Sequence, residues 1–503
     1  MTMLRRLLPC LPALALCQAL SASAFDQELA LDLPNRATTT SAFDEQPTFE
    51  LPSLVSGSTQ AVSGEEVRLG RAWLRQFRAH APLWQDPIAA DYLASLVARL
   101  LPYSHVGGID PVITLVASER LNAFAVPGGV IGVNAGLFAF AEGEAPLASV
   151  LAHELGHLSQ RHFARGQARA EQTRIPAMAA MLAGMLIAAG GGGDAGIAAA
   201  MGSQAALVQD QLAYSRRFER EADRLGLQTL ADAGYDPQAM VEMFRTMQHM
   251  VALQGGNPPE FLLTHPMTES RISDAQARVA QLSVTSPRHD DIEFQLVRAR
   301  ALLAIHDQAP RQAQTRLARG GAPESARRYL TALIDAQEGR TDAALSTLDA
   351  LASQLPDLAL IPASAAKVAL DAGRVDDAID RSRHQLRLMP GYVPASLLLG
   401  EALLQRDPDD AYRILRELAA RRPEDPQVFT LLAEAAGRSG HRAWGHLARA
   451  EQLQLTGHID RGIEQLDVAK EVAEESGDAN ALAKVEQRRE AFVGYRETME
   501  DFR

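Results

Sequence analysis

Residues 146–158 run Pro-Leu-Ala-Ser-Val-Leu-Ala-His-Glu-Leu-Gly-His-Leu. Pro146 suits the first turn of a helix, where no hydrogen bond needs its missing N–H. Leu147, Val150, Leu151, Leu155 and Leu158 then recur at three- and four-residue steps. The spacing predicts an amphipathic helix over Ala145–Arg165. His153 and His157 stand one turn apart on it, so both imidazoles leave one face and can hold one zinc ion. Glu154 is adjacent, placed to reach water at that ion without coordinating it.

A catalytic zinc needs one more protein ligand and one position left for water. The pattern that adds a third histidine, H-E-x-x-H-x-x-G-x-x-H, fails here, because Gln160 replaces the glycine and Phe163 the histidine. His162, five residues past His157, is expected to point away from the metal and reads as a surface or hydrogen-bonding residue. A better source is Arg217-Phe218-Glu219-Arg220-Glu221-Ala222-Asp223, within a predicted helix over Gln209–Ala233. Glu219 and Asp223 share a face, and Ala222 is small enough for two helices to approach. Glu219 is expected to bind zinc, and Asp223 to accept a hydrogen bond from the free ring nitrogen of a ligating histidine. Glu221 points elsewhere and reads as a solvated surface charge.

Outward from this pair, helices are predicted over Glu65–Arg78 and Pro87–Leu101. Strands are predicted over Val112–Ala117, Asn122–Val126 and Val130–Asn134, with Pro127-Gly128-Gly129 as a turn. Residues 64–285 thus form an α+β domain, mostly α, with a small sheet. Beyond it the chain repeats itself. Gly339, Ala344 and Pro356 recur 34 residues later as Gly373, Ala378 and Pro390, and Ala411 and Pro423 follow at 33. That period, with Leu399-Gly400 in a first helix, resembles the tetratricopeptide repeat. Phe294–Arg319 and Pro426–Phe492 continue as paired helices, so residues 290–503 are expected to be one all-α solenoid with a concave protein-binding surface.

At the other end, Arg5 and Arg6 precede an apolar run from Leu7 to Leu20 and then Ala22-Ser23-Ala24. This reads as a signal peptide, residues 1–24, cleaved after Ala24, and hence as export to the periplasm. Leu16 is too large to precede a lipidated Cys17. Residues 25–63, rich in Thr, Ser, Pro and acids, read as an extended lead-in. A second apolar stretch, Pro176 to Ala189, is followed by Gly190–Gly193 and an Ala/Gly/Met-rich segment to Ala206. It is too short to span a bilayer. Its composition suits a flap over the cleft, a helix in peripheral contact with a membrane, or a buried helix with a glycine loop.

The whole chain of 503 residues bounds these readings. Its formal charge of −13 supplies no general field for a polyanion, so no nucleic-acid partner is expected. Cys10 and Cys17 are its two cysteines, both in the leader. A metal in the mature chain must therefore be held by histidine and carboxylate.

His153-Glu154-Leu155-Gly156-His157 followed by Glu219-x-x-Ala222-Asp223 resembles the gluzincin metallopeptidases of the HtpX and CAAX-prenyl protease group. The export signal and the repeat are similar to its soluble periplasmic branch, the β-barrel assembly-enhancing proteases. Asn122-Ala123-Phe124-Ala125, Tyr214-Ser215-Arg216, Thr264-His265-Pro266 and Ser270-Arg271 also match that branch. The resemblance implies one Zn2+ per chain held by His153, His157 and Glu219. Glu154 is then the general base that takes a proton from water and passes it to the leaving amine. Val130, Ile131, Gly132, Val133 and Asn134 are expected to form the edge strand that pairs with substrate. Arg271 and Tyr214 are candidates for substrate or transition-state contacts, and His265 for a regulatory fourth ligand that keeps the enzyme latent.

The implied substrates are unfolded or misassembled outer-membrane proteins, with the repeat docking to the outer-membrane barrel-assembly machinery and lending chaperone-like activity. Two other classes stay open: a repeat scaffold with an inactive zinc site, and a zinc esterase or amidase. Glu154 argues against the scaffold, because a structural site needs no base beside its ligand.

Overall fold

The computed structural model describes residues 60–61, 64–166, 168–169, 215–253, 260–284, 286–288 and 292–500. The signal peptide, most of the lead-in, the apolar stretch after Pro176 and Tyr214 lie outside the described residues. β1 (Gln60–Ala61) precedes α1 (Gly64–His80). The Asp86 carboxylate accepts from the N–H groups of Ile88 and Ala89, and Pro87 fills the first turn of α2 (Pro87–Leu100). β2 (Val106–Gly107) pairs in parallel with β1. β3 (Val112–Val116), β4 (Ala123–Val126) and β5 (Val130–Asn134) form a three-stranded sheet in the order β3-β5-β4.

That order corrects the expected substrate strand. β5 lies in the middle, parallel to β3 and antiparallel to β4, and all five of its residues are buried. Val130, Ile131, Gly132, Val133 and Asn134 therefore have no free edge to offer a peptide. β3 and β4 are the edge strands of this sheet.

α3 (Ala135–Ala141) leads into α4 (Glu144–Ser159). The predicted continuation to Arg165 is interrupted, because Arg161 turns the backbone at φ 51 before a further helical turn over 162–166. α5, described over residues 215–232, crosses α4 at small side chains. A Cβ on Gly156 would stand 2.9 Å from the Ala222 carbonyl oxygen, and one on Gly226 would stand 3.1 Å from the His153 backbone nitrogen. Only such small residues let the two backbones come this close. α6 (Gln238–Leu253), α7 (Glu260–Thr264) and α8 (Glu269–Val279) complete this part, α8 being capped by the Thr268 side chain.

The repeat follows as antiparallel pairs. These are α9 (Ile292–Ile305) with α10 (Pro310–Arg319), α11 (Glu324–Gln337) with α12 (Thr341–Gln354), and α13 (Leu360–Asp371) with α14 (Val375–Leu388). Next come α15 (Val393–Leu403) with α16 (Pro408–Arg421), α17 (Pro426–Arg438) with α18 (Arg442–Leu455), and α19 (Ile459–Ser476) with α20 (Ala479–Glu500). The recurring Ala344, Ala378 and Ala411 are all buried, each where a second helix meets its partner. Gly400 explains the Leu-Gly pair, since a Cβ there would stand 2.6 Å from the Leu415 side chain.

The repeat does not stand apart from the sheet-bearing segment. Its α9, α13 and α15 pack on α2, and α18 and α20 pack on α1. Leu93, Leu96 and Phe138 share one apolar core with Phe294, Leu302 and Leu397. Part of the surface expected to bind other proteins is thus filled by the chain's own helix α2. Among the described residues no helix is long and apolar enough to cross a membrane.

Candidate metal centre

α4 and α5 carry the centre between them. His153, Glu154 and His157 come from α4 and Glu219 from α5, while His265 follows α7. The His153 Nε2 atom lies 3.1 Å from His157 Nε2 and 3.3 Å from His265 Nδ1. Glu219 closes the group, with Oε2 at 3.4 Å from His153 Nε2 and Oε1 at 3.3 Å from His157 Nε2 and 3.1 Å from His265 Nδ1. One donor atom from each residue lies within 4.8 Å of all the others. The rings meet steeply, at 71–79°, so their in-plane lone pairs converge. Ring-nitrogen lone pairs so arranged repel one another unless a proton or a metal cation lies between them. Two or three nitrogens with one carboxylate are also the donor set zinc favours, so these residues fit the ion.

The outer faces of the ligands are held from behind. His153 Nδ1 lies 2.9 Å from Asp223 Oδ1, which directs its other nitrogen inward. Arg271, expected to meet substrate, is instead 3% exposed. Its Nε and Nη2 each donate to Asp223 at 2.7 Å, and its Nη1 lies 2.9 Å from Glu219 Oε2 and donates to the Pro266 carbonyl at 2.9 Å. All three nitrogens are thus committed within the protein, and Arg271 clamps the two carboxylates rather than offering donors to a peptide. His162 and Glu221 also depart from expectation. The turn at Arg161 swings the buried His162 back against His157, with the two Nδ1 atoms 3.0 Å apart, and Glu221 lies 3.1 Å from His162 Nε2.

Burial drives the His157 imidazole down to about 3, which keeps it neutral. Burial also opposes charge on His153, but the Asp223 and Glu219 carboxylates outweigh it and hold that ring up to about 9. Glu219 is pushed up by burial and pulled far below the usual carboxylate range by His153, His157 and His265, so it stays anionic. Glu154 differs, because burial dominates and raises its carboxyl. The Ala125 backbone of β4 opposes that rise weakly, and Oε1 has no hydrogen-bond partner among the described residues. His265 Nε2 stands 3.5 Å from that oxygen, and its ring stacks on Phe261 at 4.6 Å.

The sheet correction had a visible sign in the sequence. Val130-Ile131-Gly132-Val133 is an unbroken apolar run, the mark of a strand covered on both faces and flanked on both sides. β4, an edge strand, packs on α4.

The comparisons agree with this geometry. Residues 87–279 match the model of peptidase family M48, and residues 369–435 match a tetratricopeptide repeat. The chain is 32% identical over 420 residues to the beta-barrel assembly-enhancing protease of Escherichia coli strain K12, covering 82% of this chain and 85% of that one. The protein of the same name from Yersinia pestis is 31% identical, covering 81% and 84%. A shorter match, 29% identical over 42% of this chain and 39% of the other, is to the mitochondrial metalloendopeptidase OMA1 of Arabidopsis thaliana. The His-Glu cluster on α4 and α5, the M48 match and the near-full-length relatives lead to one conclusion: the chain belongs to the beta-barrel assembly-enhancing protease family of M48 metallopeptidases.

Proposed function

We propose that the chain is a zinc endopeptidase of the bacterial periplasm that cleaves misfolded or misassembled outer-membrane proteins, with His153, His157 and Glu219 as the zinc ligands. The observation that carries this reading is the convergence of those three residues, with the buried Glu154 carboxylate beside them, its Oε1 accepting no hydrogen bond among the described residues. When bound, zinc would polarise the scissile carbonyl and lower the pKa of water toward ~7. Glu154, raised by burial, accepts the proton of the attacking water and returns it to the leaving amine. Asp223 and Arg271 hold His153 and Glu219 in place. β4 is the edge along which an extended substrate backbone pairs, bringing a peptide bond past Glu154. Export is supported by Arg5, Arg6 and the apolar run to Leu20. The repeat serves to dock the enzyme on the barrel-assembly machinery and to hold unfolded chains.

His265 is the proposed lock. A closed four-ligand set is the arrangement of a structural site, whereas catalysis needs one position open. His265 on the fourth position therefore keeps the peptidase latent until the loop after α7 moves. This same contact favours the second reading, a repeat scaffold and chaperone with a silent metal site. The experiment is zinc content and cleavage of an unfolded β-barrel protein by purified wild-type, Glu154→Gln and His265→Ala proteins. Glu154→Gln should keep its zinc and lose proteolysis, and His265→Ala should cleave faster than wild type. Cleavage retained by Glu154→Gln would reject the mechanism. Silence of both wild type and His265→Ala would favour the scaffold.

A further inference from the structure

We propose that His162 and Glu221 are positioning residues for the ligand His157, resting on the reading of His153, His157 and Glu219 as a zinc set. His157 turns Nε2 into the cluster, 3.3 Å from Glu219 Oε1, so its Nδ1 faces outward. That outward nitrogen lies 3.0 Å from His162 Nδ1, and His162 Nε2 lies 3.1 Å from Glu221 Oε2. Glu221 in turn accepts from Arg165 Nη1 at 2.9 Å and Arg217 Nε at 3.1 Å.

One placement of hydrogens satisfies the whole chain. The Glu221 carboxylate only accepts, so His162 carries its proton on Nε2 and presents Nδ1 as an acceptor. His157 Nδ1–H donates to it. The Nε2 lone pair of His157 is then left pointing at the metal position, the tautomer a ligand requires. The packing holds this arrangement. His162 is 5% exposed and stacks on Phe218 with centroids 4.1 Å apart at 20°.

The two ligand histidines are therefore oriented by different devices. His153 meets the Asp223 carboxylate directly at 2.9 Å, whereas His157 reaches a carboxylate only through a second imidazole. A neutral ring withdraws the His157 proton less than a carboxylate would, so the relay fixes direction and tautomer more than it strengthens the ligand.

The test uses full-length protein and zinc, with affinity read by chelator competition, the cobalt-substituted absorption spectrum read for ligand geometry, and urea unfolding after chelation as the control for folding. His162→Ala should bind zinc about 10- to 100-fold more weakly and shift the cobalt bands. His162→Gln, whose amide oxygen can accept from His157 Nδ1–H, should recover most of the affinity. Glu221→Gln should fall between them, with metal-free unfolding near wild type; it also serves as the variant to read should His162→Ala not fold. The relay is overturned by zinc affinity in His162→Ala within about twofold of wild type. It is equally overturned by His162→Gln binding as weakly as His162→Ala, which would assign the effect to packing. Wild-type protein that binds no zinc would overturn the zinc set itself, and the relay with it.

Discussion

The metal centre and the repeat treat charge in opposite ways. At the centre His153, Glu219, Asp223 and Arg271 are each no more than 6% exposed and contact one another in a single web. In the repeat the ion pairs Arg374–Asp342, Arg381–Asp349 and Arg406–Asp376 lie out on the helix surfaces, over a core of alanine and leucine. The same residue types are thus costly and position-critical in one region, and solvated and replaceable in the other. What differs is the source of order: a web of partnered charges at the centre, close helix packing in the repeat.

The hardest blow to this contrast falls on Arg271. Removing it leaves Asp223 and Glu219 buried without their cation, and breaking a buried pair from one side costs about 3–5 kcal/mol. Arg271→Ala should lose that much stability in urea unfolding after chelation, and hold zinc more weakly in chelator competition. A pH series sharpens the point. Burial pushes the Asp223 carboxyl up, but His153 and Arg271 outweigh it and hold it below its unfolded value. Its stabilisation is therefore present above about pH 4 and fades as the pH falls below that. The variant should show a shallower acid limb. A stability loss below about 1 kcal/mol would mean that the centre tolerates unpaired charge as the surface does.

The repeat was largely legible because its signal is local: a 34-residue period, buried alanines at fixed offsets, and Gly400 where two helices meet. That His153 and His157 share one face was legible for the same reason, since one helical turn sets their spacing. Glu219 with Asp223 followed from a helix face as well. What escaped depends on pairing across the chain or on a break in regularity. Arg271 reaches Asp223 across 48 residues, and nothing in its neighbourhood announces that partner. His162 lies off its expected face because Arg161, an ordinary residue for a helix, adopts φ 51 and ends the turn. Neither glycine nor proline marks that position. Pairing of β5 with β3, and of α2 with the repeat, is likewise a contact between segments that do not adjoin in the chain.

A middle case lies where the two regions join. Arg75 of α1 is 1% exposed, yet it serves the repeat. Its Nε donates to Gln454 at 2.5 Å, its Nη1 to the Arg71 carbonyl at 2.8 Å, and its guanidinium stands 4.5 Å from the Tyr495 ring centroid. Lost hydrogen bonds to a charged group are worth about 1.5–3 kcal/mol, so Arg75→Ala should destabilise the chain by that amount in urea. α1 also sets Trp73 and Phe77 edge-on against Phe124 of β4, the strand that packs on the helix carrying Glu154. Proteolysis by His265→Ala protein should therefore fall when Arg75→Ala is added. An unchanged rate would show that the docking of α18 and α20 on α1 is structural only.

The smallest effects belong to the repeat surface, and there backbone should outweigh charge. Gly373 follows α13 at φ +73, and a Cβ there would have no neighbour within 4 Å, so Gly373→Ala would meet no clash and pay only for left-handed backbone. That strain is about 1 kcal/mol. Arg406, by contrast, is an exposed partner of Asp376, its ion pair lying in water and screened by salt. Arg406→Ala should leave the unfolding midpoint unchanged, while Gly373→Ala lowers it measurably. The reverse order would mean that the surface pairs between successive repeats tie the solenoid together, and that charge orders this region much as it orders the metal centre.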